Sequence, residues 1–214
     1  MSRLNPFVRG LVCMILIISS ISVSSCNGNA KYRERIREVL SDTQEIERKW
    51  LIDESDIPYD LSRARRYYIE QTYISFSPEI RIRRINYGER YTLTVKTNTS
   101  QDGLTRDEFE ISISADEYQE LLSKKEPGTI TVYKTRYQFY DDELGEVLAI
   151  DIFRNELIGL AYLEIEFANV EEAVNFNQPD WVIRDVTDRR EYKNGSLARY
   201  GIPSDITDNE NAVN

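Results

Sequence analysis

Histidine is absent from this 214-residue chain, and cysteine occurs only twice, at Cys13 and Cys26. Without histidine, His-based triads and zinc sites of the usual Cys/His kind are excluded. Both cysteines lie near the N-terminus, so the chain after residue 26 has no thiol for a disulfide or a thiolate site. Positive charge is also in short supply: 27 Lys and Arg stand against 37 Asp and Glu, a formal net charge of −10. The long-range field therefore has the wrong sign for general attraction to nucleic acid, and a polyanionic ligand would need a local basic site. Long apolar runs are missing too. The longest, Leu11 to Ile18, is too short for a comfortable membrane span.

What that run does form, with Arg3 and Arg9 before it and the small residues Ser19 to Ser25 after it, is a secretory signal over residues 1–25. Val23-Ser24-Ser25-Cys26 resembles the bacterial lipobox, which implies cleavage before Cys26, its lipidation, and anchoring to a membrane of the cell envelope. Plain secretion and an uncleaved anchor are the other readings. Loss of two arginines and no acids would move the formal charge from −10 to −12. Residues 26–43 read as a polar tether followed by an amphipathic helix over Lys31 to Asp42, with Tyr32, Ile36, Val39 and Leu40 at helical spacing. Residues 204–214 read as a frayed polar tail.

The remainder, residues 44–203, is one domain dominated by strand patterns. Strands are expected over Glu45 to Trp50, Ile69 to Phe76, Glu79 to Asn86, Arg90 to Thr97, Thr105 to Ser114, Thr129 to Tyr140, Glu146 to Phe153 and Leu157 to Ala168. Helices are expected from Pro58 to about Tyr67, after the capping box Ser114-Ala115-Asp116-Glu117 up to Pro127-Gly128, after Asn169, and from Asp188 to Gly201. Eight strands joined mostly by turns too short for parallel crossovers predict an α+β fold: an eight-stranded antiparallel closed β-barrel.

Alternation along these strands points to chemistry. Glu45, Glu47 and Lys49 fall on one face of the first; Arg81 and Arg83 share a face, as do Thr92, Thr94 and Lys96. Arg106, Glu108 and Glu110, then Lys134 and Arg136, Asp151, and Glu164 and Glu166 repeat the pattern, with apolar residues opposite. A half-exposed sheet would put each charged face in water. That explains one strand well and the whole set poorly, because ordinary surface faces mix in neutral polar residues. The alternative puts the charges inside the barrel and covers the apolar outside with helices. A transmembrane barrel has the same polarity, but Arg48, Arg84 and Asp107 would then meet lipid. The charged lumen holds seven cations and seven carboxylates. Burying them without a ligand is costly, so a highly charged ligand is implied: polyphosphate oxygens for Lys and Arg, a hard divalent cation for the acids.

In order and spacing, Glu45-x-Glu47-x-Lys49, Arg81-x-Arg83, Lys96, Arg106-x-Glu108-x-Glu110, Lys134-x-Arg136, Asp151 and Glu164-x-Glu166 resemble the CYTH or triphosphate tunnel metalloenzyme family. The resemblance continues through Asp185-Val186-Thr187, Tyr192 and Asn194-x-x-Leu197-Ala198, and covers about Gln44 to Pro203. It implies a tunnel that binds a triphosphate or polyphosphate end-on and hydrolyses it with Mg²⁺ or Mn²⁺. Carried over, Lys49, Arg81, Arg83, Lys96, Arg106, Lys134 and Arg136 would bind substrate. Glu45, Glu47, Asp151, Glu164 and Glu166 would hold metal, and Glu45, Glu47, Lys134, Glu164 and Glu166 would take part in catalysis, Lys134 as a proton donor. Whether Arg106, Glu108 and Glu110 meet ligand or pair with each other stays open. A polyphosphate-binding envelope lipoprotein without turnover is the alternative, with adenylate cyclase chemistry and a ligand-free lattice of internal salt bridges behind it. Nucleic acid is not an expected partner, and the oligomeric state is not legible.

Overall fold

The computed structural model describes residues 44–99 and 104–206. The expected signal, tether and Lys31 to Asp42 helix, together with Cys26, lie outside the described residues. Nine strands occur among those described: β1 (Gln44–Ile52), β2 (Arg65–Phe76), β3 (Glu79–Ile85), β4 (Arg90–Thr99), β5 (Thr105–Ile113), β6 (Val132–Asp141), β7 (Glu146–Phe153), β8 (Ala161–Glu166) and the short β9 (Arg184–Asp185). Hydrogen bonding runs β5-β4-β3-β2-β6-β7-β8-β1, and β1 also pairs with β5, so eight antiparallel strands close into a barrel. β5 contacts β1 only over Gln44 to Ile46; farther on, β9 takes that edge at Trp50 and Leu51.

The barrel has apolar material on both sides. Outside β1, β7 and β8, Ile46, Trp50, Leu148, Ile150, Leu163 and Ile165 form a core that α2 (Val170–Asn175) and the following chain cover. Trp50 is wholly buried beside Phe176, ring centroids 5.7 Å apart, and its indole donates to Gln178 Oε1 at 3.1 Å. Arg48 ties the same layer together, bonding Asp185 at 2.5 Å and the carbonyls of Ala173 and Phe176 at 3.0 and 2.9 Å. Outside β3 and β4, Ile80, Ile82, Leu93 and Val95 pack under Tyr118 and Leu121 of α1 (Ala115–Leu122). The expected capping box opens α1: Ser114 Oγ accepts from Glu117 N at 3.2 Å while the Glu117 carboxylate accepts from Ser114 N at 2.8 Å.

Inside, one end of the barrel carries an apolar plug. Leu51, Tyr73, Val132, Phe153 and Tyr162 point inward there and pack against Tyr192, Leu197 and Ala198, the last two on α3 (Asn194–Tyr200).

Three expectations for local structure give way. Pro58 to Tyr67 is not helical: single 3-10 turns occupy Glu54–Asp56 and Leu61–Arg63, and β2 begins at Arg65. Asp60 caps only one turn, accepting from Ser62 N at 3.1 Å, and Arg65 to Tyr68 are recruited into the ladder with β6. β8 starts at Ala161 rather than Leu157, because Asn155 adopts φ 56° in a 3-10 turn and Leu157 is drawn into the plug. The last helix opens at Asn194 rather than Asp188; burial of Tyr192 takes a separate turn, Arg190–Tyr192, followed by an extended Lys193.

Candidate active site

The charged part of the lumen encloses a cavity of about 520 Å³. Glu45, Glu47 and Lys49 reach it from β1, Glu79, Arg81 and Arg83 from β3, Lys96 from β4, Arg106, Glu108 and Glu110 from β5, Arg136 from β6, and Glu164 and Glu166 from β8. The strand alternation brings them together: the odd residues of β1 turn inward while Ile46, Arg48 and Trp50 turn out. A second cavity of about 440 Å³ adjoins it, sharing Glu45, Glu47, Arg136, Glu164 and Glu166 and adding Gln138, Val147, Ala149, Phe167 and Ala168.

Two predicted residues sit deeper. Lys134 and Asp151 pair with each other, wholly buried, and neither lines the cavity. Asp151 in turn accepts from Arg136 Nε and Nη2, each at 2.7 Å, so this buried pair holds the Arg136 guanidinium from behind. Burial, with Arg136 adding to it against the attraction of Asp151, lowers the Lys134 ammonium to about 8.

Cations and acids are not uniformly mixed around the wall. On the β1–β8 side, Glu47 lies directly across the ladder from Glu166, a like-charged pair, and Lys49 lies across from Glu164 at 2.8 Å. Burial and then Glu164 raise the Glu47 carboxyl; burial, Glu45 and Glu47 raise that of Glu166. No ion pair of Glu166 occurs among the described residues. Glu164 differs: although burial opposes it, Lys49, Lys134 and Arg136 hold its carboxyl well below the ordinary value.

Across the lumen the cations dominate. Arg81 lies 3.4 Å from Glu108 and 3.9 Å from Glu79, Arg83 lies 3.5 Å from Glu110, and Arg106 lies 3.2 Å from Glu79. Lys96 pairs with both Glu45 and Glu108. Burial, then Arg81 and Arg136, depress Arg83, whereas Arg81 is raised because, against its burial, Glu108, Tyr73, Glu79 and Glu45 together prevail. Glu108 and Glu110 therefore pair internally while also lining the cavity, and Arg106 does the same.

Five cavity residues were not anticipated: Tyr73, Glu79, Leu104, Lys193 and Asn194. Glu79 shares the inward face of Arg81 and Arg83, so alternation alone could have found it. Lys193 and Asn194 enter from the start of α3, where no periodicity signals a lumen position; burial and then Lys49 lower the Lys193 ammonium to about 8.

Oxygen-only acids suit a hard divalent cation, and Glu47 opposite Glu166 is where one would relieve an existing repulsion. With the side chains as they stand, no three acids converge on one point among the described residues, because Glu45 and Glu164 are engaged by Lys96, Lys49 and Arg136. The donor set fits such an ion once those cations turn to an anionic ligand.

Comparison with known proteins yields four concordant findings. The CYTH domain family model matches residues 43–199. The inorganic triphosphatase of Nitrosomonas europaea is 31% identical over 157 residues, 72% of this chain and 96% of that protein. The inorganic triphosphatase of Acetivibrio thermocellus is 32% identical over 156 residues, 73% and 94% of the respective lengths. Among solved structures, that of the inorganic triphosphatase NE1496 superposes with a TM-score of 0.53 at 28% identity, covering 74% of this chain and 97% of the other.

Proposed function

The chain belongs to the CYTH domain family, and from that premise we propose that it is a divalent-metal-dependent triphosphatase acting on inorganic tripolyphosphate or a small organic triphosphate. The observation that carries this reading is the division of one enclosed cavity into opposed walls: Glu47 against Glu166 on β1 and β8, facing Arg81, Arg83 and Lys96. A divalent cation would relieve the first wall, and a triphosphate would draw the cations of the second.

Lys49, Arg81, Arg83, Lys96, Arg106 and Arg136 grip the phosphate oxygens, the arginines through planar donor forks that match them. Lys134 and Asp151 act through Arg136, fixing its guanidinium from behind. Glu45, Glu47, Glu164 and Glu166 hold Mg²⁺ or Mn²⁺. When bound, such an ion supplies Lewis acidity that neutralises charge on the phosphate chain. Among these carboxylates, Glu47 and Glu166 position the attacking water and take its proton. Lys193, at about 8, is placed to hold a phosphate end against the plug.

The full chain should release phosphate from tripolyphosphate with Mg²⁺ or Mn²⁺. Tight binding of tripolyphosphate without any release would replace this reading by a non-catalytic polyanion-binding one. The envelope location belongs to the same proposal: the chain is exported and lipid-anchored at Cys26. Labelled palmitate should enter the wild-type protein expressed in bacteria and not Cys26→Ser; equal labelling of both would dismiss the anchor.

A further inference from the structure

Gln71 lies on β2 directly across the ladder from Arg83, and no part of it is exposed. Its Oε1 accepts from Arg83 Nε at 2.9 Å, and its Nε2 donates to the Tyr73 hydroxyl at 2.7 Å. The orientation of this amide follows from its partner: an arginine nitrogen only donates, so the amide oxygen must face it. Tyr73, equally buried and stacked on Phe76 with centroids 5.0 Å apart, fixes the other end.

The other arginines lining the first cavity are held by acids. Arg136 makes two 2.7 Å bonds to Asp151, and Arg81 and Arg106 lie near Glu108 and Glu79. The one acid paired with Arg83 among the described residues is Glu110, at 3.5 Å, and that carboxylate already accepts from Thr94 Oγ1 at 2.8 Å. Arg83, which lines the cavity, is thus fixed through Nε by a neutral group, its Nη1 lying 3.5 Å from Glu110. Burial, and then Arg81 and Arg136, depress its pKa against the attraction of Glu110 and Glu108.

We propose that Gln71 is a positioning residue that aims Arg83 at a substrate phosphate while leaving the guanidinium charge available to it. This rests on the triphosphatase reading for its substrate. A carboxylate in the same place would hold Arg83 equally well and compete with the phosphate for it; an apolar side chain would let it swing toward Glu110.

The test uses Gln71→Glu and Gln71→Met in the full chain, with three readouts: KM and kcat for tripolyphosphate, thermal stability, and tripolyphosphate affinity by calorimetry in EDTA. Hydrogen bonds to charged groups are strong enough that both variants should raise KM roughly tenfold or more with kcat changed far less. Gln71→Glu should melt no lower than wild type, since both its neighbours can donate to the new carboxylate. A KM for Gln71→Glu within about twofold of wild type, or a loss confined to kcat, overturns the proposal; if that variant does not fold, the same criteria apply to Gln71→Met. Absence of phosphate release by the wild type would refute the enzymatic reading alone. The metal-free affinities would then decide the inference, roughly tenfold weaker binding sustaining it and equal binding overturning it.

Discussion

The β1–β8 wall and the β3–β4 wall of the cavity are built from the same alternation yet stand in opposite electrostatic states. On the first, Glu47 and Glu166 face each other and both carboxyls are pushed up. On the second, Arg81 and Lys96 are matched to Glu108, whose carboxyl is lowered because Arg81 and Lys96 overcome its burial. One wall is thus frustrated without a cation and the other is nearly self-sufficient. Removing a charge should have opposite consequences on the two sides.

The largest effect is expected from Glu47→Gln. Loss of a proton acceptor and metal donor should lower kcat by roughly a hundredfold or more, while the melting temperature holds or rises because a repulsion is removed. A mutant that melts well below wild type would break the comparison from the acidic side. On the basic side, Lys96→Met strands Glu45 and Glu108, mostly buried, without their shared ammonium. Breaking such a pair should cost about 3 kcal/mol of stability in denaturant unfolding, in addition to weakening substrate binding.

A smaller effect sharpens the contrast through pH. Glu47 and Glu166 bind protons more readily folded than unfolded, since their folded pKa values exceed 4.5. Their contribution to stability is therefore fullest below pH 4.5 and is lost as pH rises through the folded values. Glu164 is the reverse, contributing above 4.5 and losing that contribution as pH falls through its lowered value. A divalent ion substitutes for the missing protons, so Mg²⁺ should raise the melting temperature more at pH 8 than at pH 5; an equal shift at both would place the ion elsewhere. The smallest effect lies off both walls. Ser114→Ala removes the α1 cap and should cost about 1 kcal/mol with kcat and KM unchanged.

How much of this could be read from sequence depends on how far a residue's role follows from strand parity. Glu45, Glu47 and Lys49 share a face in any strand, and the repetition of charged faces made a lumen more economical than a surface. Glu79, which opens its strand beside Pro78, obeys the same parity. Depth does not follow from parity: nothing local distinguishes Lys134, behind the wall, from Arg136, which lines it. Nor does the plug, where Tyr73, Phe153 and Tyr162 occupy inward positions whose apolar character looks like ordinary interruption of the charge pattern. Lys193 and Gln71 depend on contacts far apart in the chain, between α3 and the lumen and between neighbouring strands β2 and β3.

Phosphate release from tripolyphosphate by the full chain, followed with Mg²⁺ or Mn²⁺ present and again after excess EDTA, tests the two-walled site most directly. The account requires turnover with metal, its loss on chelation, and its return when metal is restored. Turnover that persists undiminished in EDTA, or none under any metal while Glu47→Gln and wild type melt and bind alike, would contradict it.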